Sequence, residues 1–501
     1  MFSAECPACG AKVSLRASTS TSAVCGFCKS TLVRKAEVLE RIGVQGELLE
    51  DATRVQVGTG GRFDGAGFSV VGRIQLHYDD GAWNEWYVLF DDGSTGWLSE
   101  ASGQYAVTFD RGKEARAPAW EALAPGSPVM VGGERWTVTD RRTARCAAAE
   151  GELPFPVDSR WEAKVVDLRS DDRLLTLDWS DGAPPVRYVG RAVELDALKP
   201  TGLRSVAATE EAAGAIDEGL RTLACPSCGA PVRYVPKLAT HVTCRQCKSE
   251  LTGGAEGVAV DVERADRAQR PTWLELGDTG EYLGERWTVI GVLARRTPDD
   301  PQEWQEYLLW SPKAGFRWLV QVEGRLQWVE VLNELPQTAG GAAKLRGEAW
   351  LRRDAYDSTT TWVAGSFNWR PKVGDRAAVV EYAPRGGAPG RSLALEKTDT
   401  EATWSLAVDA RGDVIAKAFG KAAPPKAEGG AVDAAGAVAA GAGFVKRSTR
   451  SVRDLAWLFT LILSLLSLPA LVFGDFDELF VPAVVALVAL WAPLRLTNDG
   501  E

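Results

Sequence analysis

The chain has 501 residues, enough for several domains with hydrophobic cores of their own, so a small disulfide-stapled scaffold is excluded. Its 57 basic and 67 acidic residues give a formal charge of -10, which argues against a molecule that coats nucleic acid with its whole surface. With only two histidines, histidine-based acid–base chemistry has almost no material to work with.

From the N-terminus, Cys6, Cys9, Cys25 and Cys28 are spaced C-x2-C-x15-C-x2-C, and Cys225, Cys228, Cys244 and Cys247 repeat that spacing. Two residues between cysteines let a tight turn present both thiolates to one ion, so each quartet predicts a tetrahedral Zn2+ site. The expected roles are structural, because four thiolates leave no open coordination position. The first 20 residues hold no apolar run of the secretory kind, which disfavours disulfides as the fate of these cysteines. The ribbons are expected at 1–35 and 222–253. The first carries Lys12, Arg16, Lys29, Arg34 and Lys35 against Glu5, a local excess read as solvating charge, with nucleic-acid binding by the ribbons as a lesser alternative. His241 lies inside the second ribbon, but Ser22 stands at its position in the first, so it is not expected to be a ligand.

The sequence between and beyond the ribbons also repeats. A shift of 219 positions aligns both quartets and then places Gly58, Gly61, Gly65 and Gly72 on Gly277, Gly280, Gly284 and Gly291. Phe63, Phe68 and Val70 meet Tyr282, Trp287 and Val289 at the same shift. A shift of 214 aligns Gly132–Trp136 with 346–350, Gly151–Phe155 with 365–369, and Val165, Val166 and Asp167 with Val379, Val380 and Glu381. Each half is therefore a ribbon followed by two segments, 47–112 and 125–200 in the first, 270–334 and 343–416 in the second. Runs such as FSVVGRI, EWYVLF and LLTLDWS, broken by DDG turns and glycines, predict short strands in small barrels or sandwiches. The segment 201–221 is rich in Ala and Glu and reads as a linker or one short helix.

Residues 417–445 are a low-complexity stretch of Ala, Gly and Pro with the composition of a flexible tether. Beyond it, within 454–496, Leu455–Phe473 and Leu479–Leu494 are charge-free apolar runs that predict a two-helix transmembrane hairpin. Lys446, Arg447, Arg450 and Arg453 precede the first run, and the connecting loop holds only Asp475, Asp477 and Glu478. This asymmetry places the soluble domains and both termini on the cytoplasmic side of the inner membrane, where thiolates stay reduced. The expected fold class is thus mainly β, with two zinc ribbons, tandem small β modules and a membrane hairpin.

GAGFSVVGRI (Gly65–Ile74), QLHYDDGAWNEWYVLFDDGSTGWLSE (Gln75–Glu100) and the downstream GELPF together resemble the bacterial domain of unknown function 4178, over 50–200 and 270–410. The second copy departs from the pattern at DPQEWQEYLLWSPKAG (Asp300–Gly315). The resemblance implies no established activity; family members stand beside genes for membrane-stress proteins of the phage-shock type and for polyamine-synthase-like proteins, which implies envelope-associated work.

These features bear on three kinds of function. A membrane-anchored scaffold or sensor would bind other proteins through ribbons and β modules. A ligand-binding module would use Trp83, Trp86, Tyr87, Phe90 and Trp97, with Trp304, Tyr307, Trp310 and Trp318 in the second half, as aromatic cages for a small cation such as a polyamine. An enzyme finds little support: no GxxxxGK[ST], no HExxH, and no nucleophile paired with a histidine that recurs in the duplicate. Asp79 and Asp80, like Asp91 and Asp92, adjoin glycines as turn residues do, and Cys146 meets Thr360 in the duplicate. The expectation is a non-enzymatic interaction protein.

Overall fold

The structure, a computed structural model, describes residues 2–424 apart from 36–37, 45–52, 158–160, 213–220, 226–227, 235–240, 248, 255–256, 262–269, 299, 301, 323 and 388–389. The two apolar runs within 454–496 lie outside the described residues, as does 425–445 of the tether. Among the described residues, no helix is long and apolar enough to cross a membrane.

Strands dominate, as the β-branched and aromatic runs predict. The two segments of each half, expected as separate modules, instead build one barrel. In the first half the strands Glu134–Leu153, Glu162–Ser170, Arg173–Asp178, Val186–Val193, Gln104–Lys113, Thr95–Ala101, Gly81–Phe90 and Ala66–Tyr78 pair in that order, and the last pairs back onto the first. The ring therefore has eight strands, antiparallel throughout. The second half repeats it with Glu348–Phe367, Arg376–Pro384, Arg391–Lys397, Ala402–Ala410, Arg325–Val331, Gly315–Val322, Glu303–Ser311 and Glu285–Arg296. Closing the ring removes the unpaired edges that two small sheets would have exposed. Local strand patterns cannot show this, because ring closure depends on which distant strands pair.

Closure needs close backbone approach. Gly72 lies opposite Gly151 on the closing pair, and a Cβ at Gly72 would stand 1.8 Å from the Glu152 carbonyl oxygen. Gly291 opposes Gly365 at the equivalent place in the second half. Bulges are duplicated too, between Val70 and Gly72 and between Val289 and Gly291.

The twenty-residue strand Glu134–Leu153 is the spine of its half. Its first part pairs with Glu162–Ser170, and its last residues pair with both Ala66–Tyr78 and Ser22–Val24 of the ribbon. The ribbon's sheet thus continues the barrel through Ser22–Val24, Ser30–Lys35 and Val38–Val44, nine residues past the expected boundary at 35. In the second half His241–Thr243, Glu250–Gly254 and Gly257–Asp261 extend the barrel in the same way from Glu348–Phe367.

Within the linker, Val206–Ala212 is a short helix. The start of the expected tether is also built into the fold: the helix Gly412–Ala418 buries Ile415, Phe419 packs in the second barrel's core, and Lys421 pairs with Asp278 at 2.8 Å. The apolar Ile415 and Phe419 decide this locally against the bland composition around them. The halves meet through Arg142 and Glu401 at 2.6 Å, Asp80 and Lys372 at 2.9 Å, and the Arg141 amide donating to the Thr400 carbonyl at 3.0 Å.

Candidate metal centres and the barrel interior

Each cysteine pair sits on a tight turn. The Cys6 amide donates to the Ala11 carbonyl and Gly10 back to the Cys6 carbonyl, both at 2.8 Å; Gly10 takes a φ of 76° that favours glycine. The second turn closes the same way, with the Cys25 amide donating to the Ser30 carbonyl at 2.9 Å and Lys29 to the Cys25 carbonyl at 3.0 Å. In the second ribbon Cys225 and Gly229 repeat the first pattern, and the Cys244 amide donates to the Ser249 carbonyl as Cys25 does to Ser30.

These turns bring the thiols together. Cys6 and Cys28 Sγ are 3.7 Å apart and Cys9 and Cys25 Sγ 3.6 Å; Cys225 and Cys247 are 3.6 Å apart and Cys228 and Cys244 3.9 Å. In each quartet all four sulfurs lie within 4.8 Å of one another. A tetrahedron with metal–sulfur bonds of ~2.3 Å has sulfurs ~3.8 Å apart. The distances fit such a tetrahedron and far exceed the ~2.05 Å of a disulfide. Two four-cysteine groups therefore have the geometry to hold metal ions, on the eight cysteines expected from spacing. The Ser30 hydroxyl, 3.2 Å from Cys28 Sγ, lowers that thiol to about 6, and Ser249 stands in the same relation to Cys247 at 3.1 Å. In the same quartet Cys9 is pushed up to about 12, the Ala11 amide lowering it but hydrogen bonding among the thiols and desolvation raising it more, so metal binding, which requires thiolates, must displace protons from part of each set.

The first ribbon is clamped to its barrel by a carboxylate that the motif does not reveal. Glu152, from the long strand, accepts from the Arg16 amide at 2.7 Å, the Ala17 amide at 3.1 Å and the Ser20 hydroxyl at 3.0 Å. Only 6% of its side chain is exposed. Ser366 holds the equivalent place in the second half by the 214-residue shift.

The aromatic residues expected to form a cage do not converge. Alternation along Gly81–Phe90 sends Trp83 and Tyr87 to one face and Trp86 to the other. Trp86 is fully buried, donates to Glu100 at 2.9 Å and packs under the Arg73 guanidinium, 4.6 Å from the ring. Tyr87 and Trp97 pack on each other at 5.0 Å, and the Tyr87 hydroxyl bonds Thr19 at 2.6 Å. Trp83 is half-buried and donates to Glu85 at 2.9 Å. Period-2 geometry thus splits Trp86 from Trp83, Tyr87 and Trp97. In the second half Tyr307 and Trp310 are buried and Trp318 packs on Trp369 at 5.5 Å. Asp92 is the turn residue its context predicts, accepting from the amide and hydroxyl of Ser94.

The face carrying Trp83 lines the ring interior, and it is more polar than the aromatic runs suggest. Glu85, Asp167 and Asp178 all lie on it, and Thr176 donates to Asp167 at 2.6 Å while Ser99 donates to Glu85 at 2.7 Å. Desolvation pushes Glu85 up to about 7, with Asp167 and Asp178 adding to the rise. Asp167 and Asp178 are also raised, chiefly by desolvation. Sequence reasoning did not single these carboxylates out. The signal was the alignment of Asp167 with Glu381, an acid kept inside a strand.

Neither a curated protein nor a solved structure matches the chain. The domain of unknown function DUF4178 matches residues 56–195 and again 275–410, together more than half of the chain. Each match spans one whole barrel and leaves out the ribbon that precedes it. By these two matches, the chain belongs to the DUF4178 family, of which it carries two copies.

Proposed function

We propose that this protein is a non-enzymatic scaffold or sensor, anchored to the inner membrane by the hairpin at 454–496, with two Zn2+-bearing ribbons facing the cytoplasm and engaging other proteins. Zinc is the metal favoured by the donor set, since four thiolates in a tetrahedron suit Zn2+ and exclude the oxygen-seeking Mg2+ and Ca2+. The apolar runs Leu455–Phe473 and Leu479–Leu494 and the basic residues before them support the anchor and its orientation.

One observation carries the interaction role. The first ribbon turns apolar side chains outward: Phe27, at the tip of the second cysteine turn, is 86% exposed, and Val38 and Ile42, on the edge strand Val38–Val44, are 61% and 50% exposed. Among the described residues Val38–Val44 ends its sheet, and a strand edge beside exposed apolar residues is suited to pairing with a strand of another protein. The test is a pull-down from gently solubilised membranes with the wild-type chain and with Phe27→Asp and Ile42→Lys variants. The reading expects a specific partner that both substitutions release. Recovery of the chain in the soluble fraction would defeat the anchor, and a partner list unchanged by both substitutions would defeat the ribbon as the docking surface.

A further inference from the structure

The duplication supplies a comparison inside one molecule. In the first half Glu85 pairs with Ile74 across the strands; in the second, Glu306 pairs with Leu293, so the two glutamates are equivalent. By the same reckoning Asp167 matches Glu381, and Asp178, opposite Val165, matches Glu396, opposite Val379. Trp83 matches Trp304, and each donates its indole N–H to the neighbouring glutamate, at 2.9 Å and 2.7 Å. The surroundings have diverged: Ser99 is replaced by Val320 and Arg142 by Tyr356. Interior carboxylates are costly, and packing alone gives no reason to keep three of them through that divergence.

The second half shows what the set holds. Arg295 reaches across the ring from Glu285–Arg296 to Arg391–Lys397, where its Nη1 lies 2.9 and 2.8 Å from the two oxygens of Glu396. Its Nε is 3.8 Å from Glu306. A guanidinium therefore sits between the equivalents of Glu85 and Asp178.

In the first half the residue at that place is Leu76, which pairs with Cys146 as Arg295 pairs with Thr360. The titratable groups that act on Glu85 and Asp178 include Asp167, Asp181 and Tyr188, with Asp110 beside Tyr188, all acids. Of the nearby cations, Arg142 and Arg169 act on Asp167 and are otherwise held by partners outside the set. Arg142 pairs with Asp140 at 2.5 Å and Glu401 at 2.6 Å over the Tyr78 ring, and Arg169 donates to the Asn333 carbonyl and side chain. Trp83, Glu85, Asp178 and Tyr188 nevertheless keep part of their surface open to solvent.

We propose that the interior of the first barrel binds a small organic cation bearing a guanidinium or primary ammonium group, held between Glu85 and Asp178 beside Trp83 and Tyr188. The ligand takes the place that the second barrel fills with its own Arg295. Trp83 supplies an aromatic surface and the carboxylates supply the charge, a combination that selects cations over neutral analogues. This goes beyond the scaffold reading and does not depend on it: loss of protein partners leaves it untouched, and an anchored scaffold stands whether or not the interior is filled.

The test is titration calorimetry on the purified full-length chain with methylguanidinium and, separately, methylammonium. One saturable site per chain is expected, tightening as pH rises through about 7 and Glu85 ionises. Glu85→Gln weakens it at least tenfold. Leu76→Arg copies the second half's arrangement and abolishes it, and Arg295→Leu opens a second site. Wild-type chain that takes up neither probe saturably overturns the proposal. So does binding that survives Glu85→Gln undiminished, a result that stands even where Leu76→Arg fails to fold.

Discussion

Glu152 is the joint between ribbon and barrel, and its replacement isolates that joint. In Glu152→Ala the amides of Arg16 and Ala17 and the Ser20 hydroxyl lose their common acceptor in a site where the carboxylate is 6% exposed. Each buried N–H left without a partner costs about 1–3 kcal/mol. Breaking a buried charged cluster by removing one member costs about 3–5 kcal/mol, and two orphaned amides with a lost hydroxyl bond come to the same range. The loss falls on the loop 16–21 and the pairing of Ser22–Val24 with Gly151–Leu153, and spares the ring pairing with Glu162–Ser170, which lies at Thr137–Arg145 of the long strand. Hydrogen exchange on the full chain reads this directly. Amides of 16–24 should lose protection in Glu152→Ala by about two or more orders of magnitude, while those of Glu162–Ser170 keep theirs. Glu152→Gln, which retains one acceptor oxygen, should fall between. Wild-type protection at 16–24 in Glu152→Ala would refute the carboxylate's role as the joint.

Four shorter predictions follow from other sites. Metal analysis of the purified chain should give two Zn2+ ions, and Cys25→Ser should give one, because a site left with three thiolates binds far more weakly. In Gly190→Ala the new Cβ meets the Val107 carbonyl at 1.7 Å, on the pairing that joins the two segments of the first half. Loss of about 4 kcal/mol or more is expected across both segments together in denaturant unfolding; a segment 66–113 that stays folded would show separate modules after all. Trp86→Ala should cost about 3–5 kcal/mol in the same assay, as a fully buried aromatic does. Glu85 has its folded value raised from 4.5 to about 7, so its stabilising contribution is complete below pH 4.5 and is lost as pH rises through 7. Glu85→Gln should therefore be the more stable protein at pH 8, by about 1–3 kcal/mol, with the advantage gone at pH 4.5; an advantage independent of pH would count against that shift.

How much was legible depended on the range of the interaction. Short-range chemistry read well: the cysteine turns form where C-x2-C places them, because the geometry of two residues between ligands is local. The turn role of Asp92 read well for the same reason, its acceptor serving an amide two residues on. The cage at Trp83, Trp86, Tyr87 and Trp97 read poorly, since composition shows aromatic density but strand alternation decides the face, and Trp86 turns away.

The sequence by itself determined the duplication, the two metal-ligand quartets and the β character, all of which rest on residue type and spacing. Tertiary structure decided that two segments make one ring, because Ala66–Tyr78 and Glu134–Leu153 find each other only through glycines that let backbones touch. It also decided that Glu85, Asp167 and Asp178 face one interior and that Leu76 stands where the second half has Arg295. Residues from separate strands share an interior face only when the ring closes, and no local pattern of charge or hydrophobicity encodes that meeting.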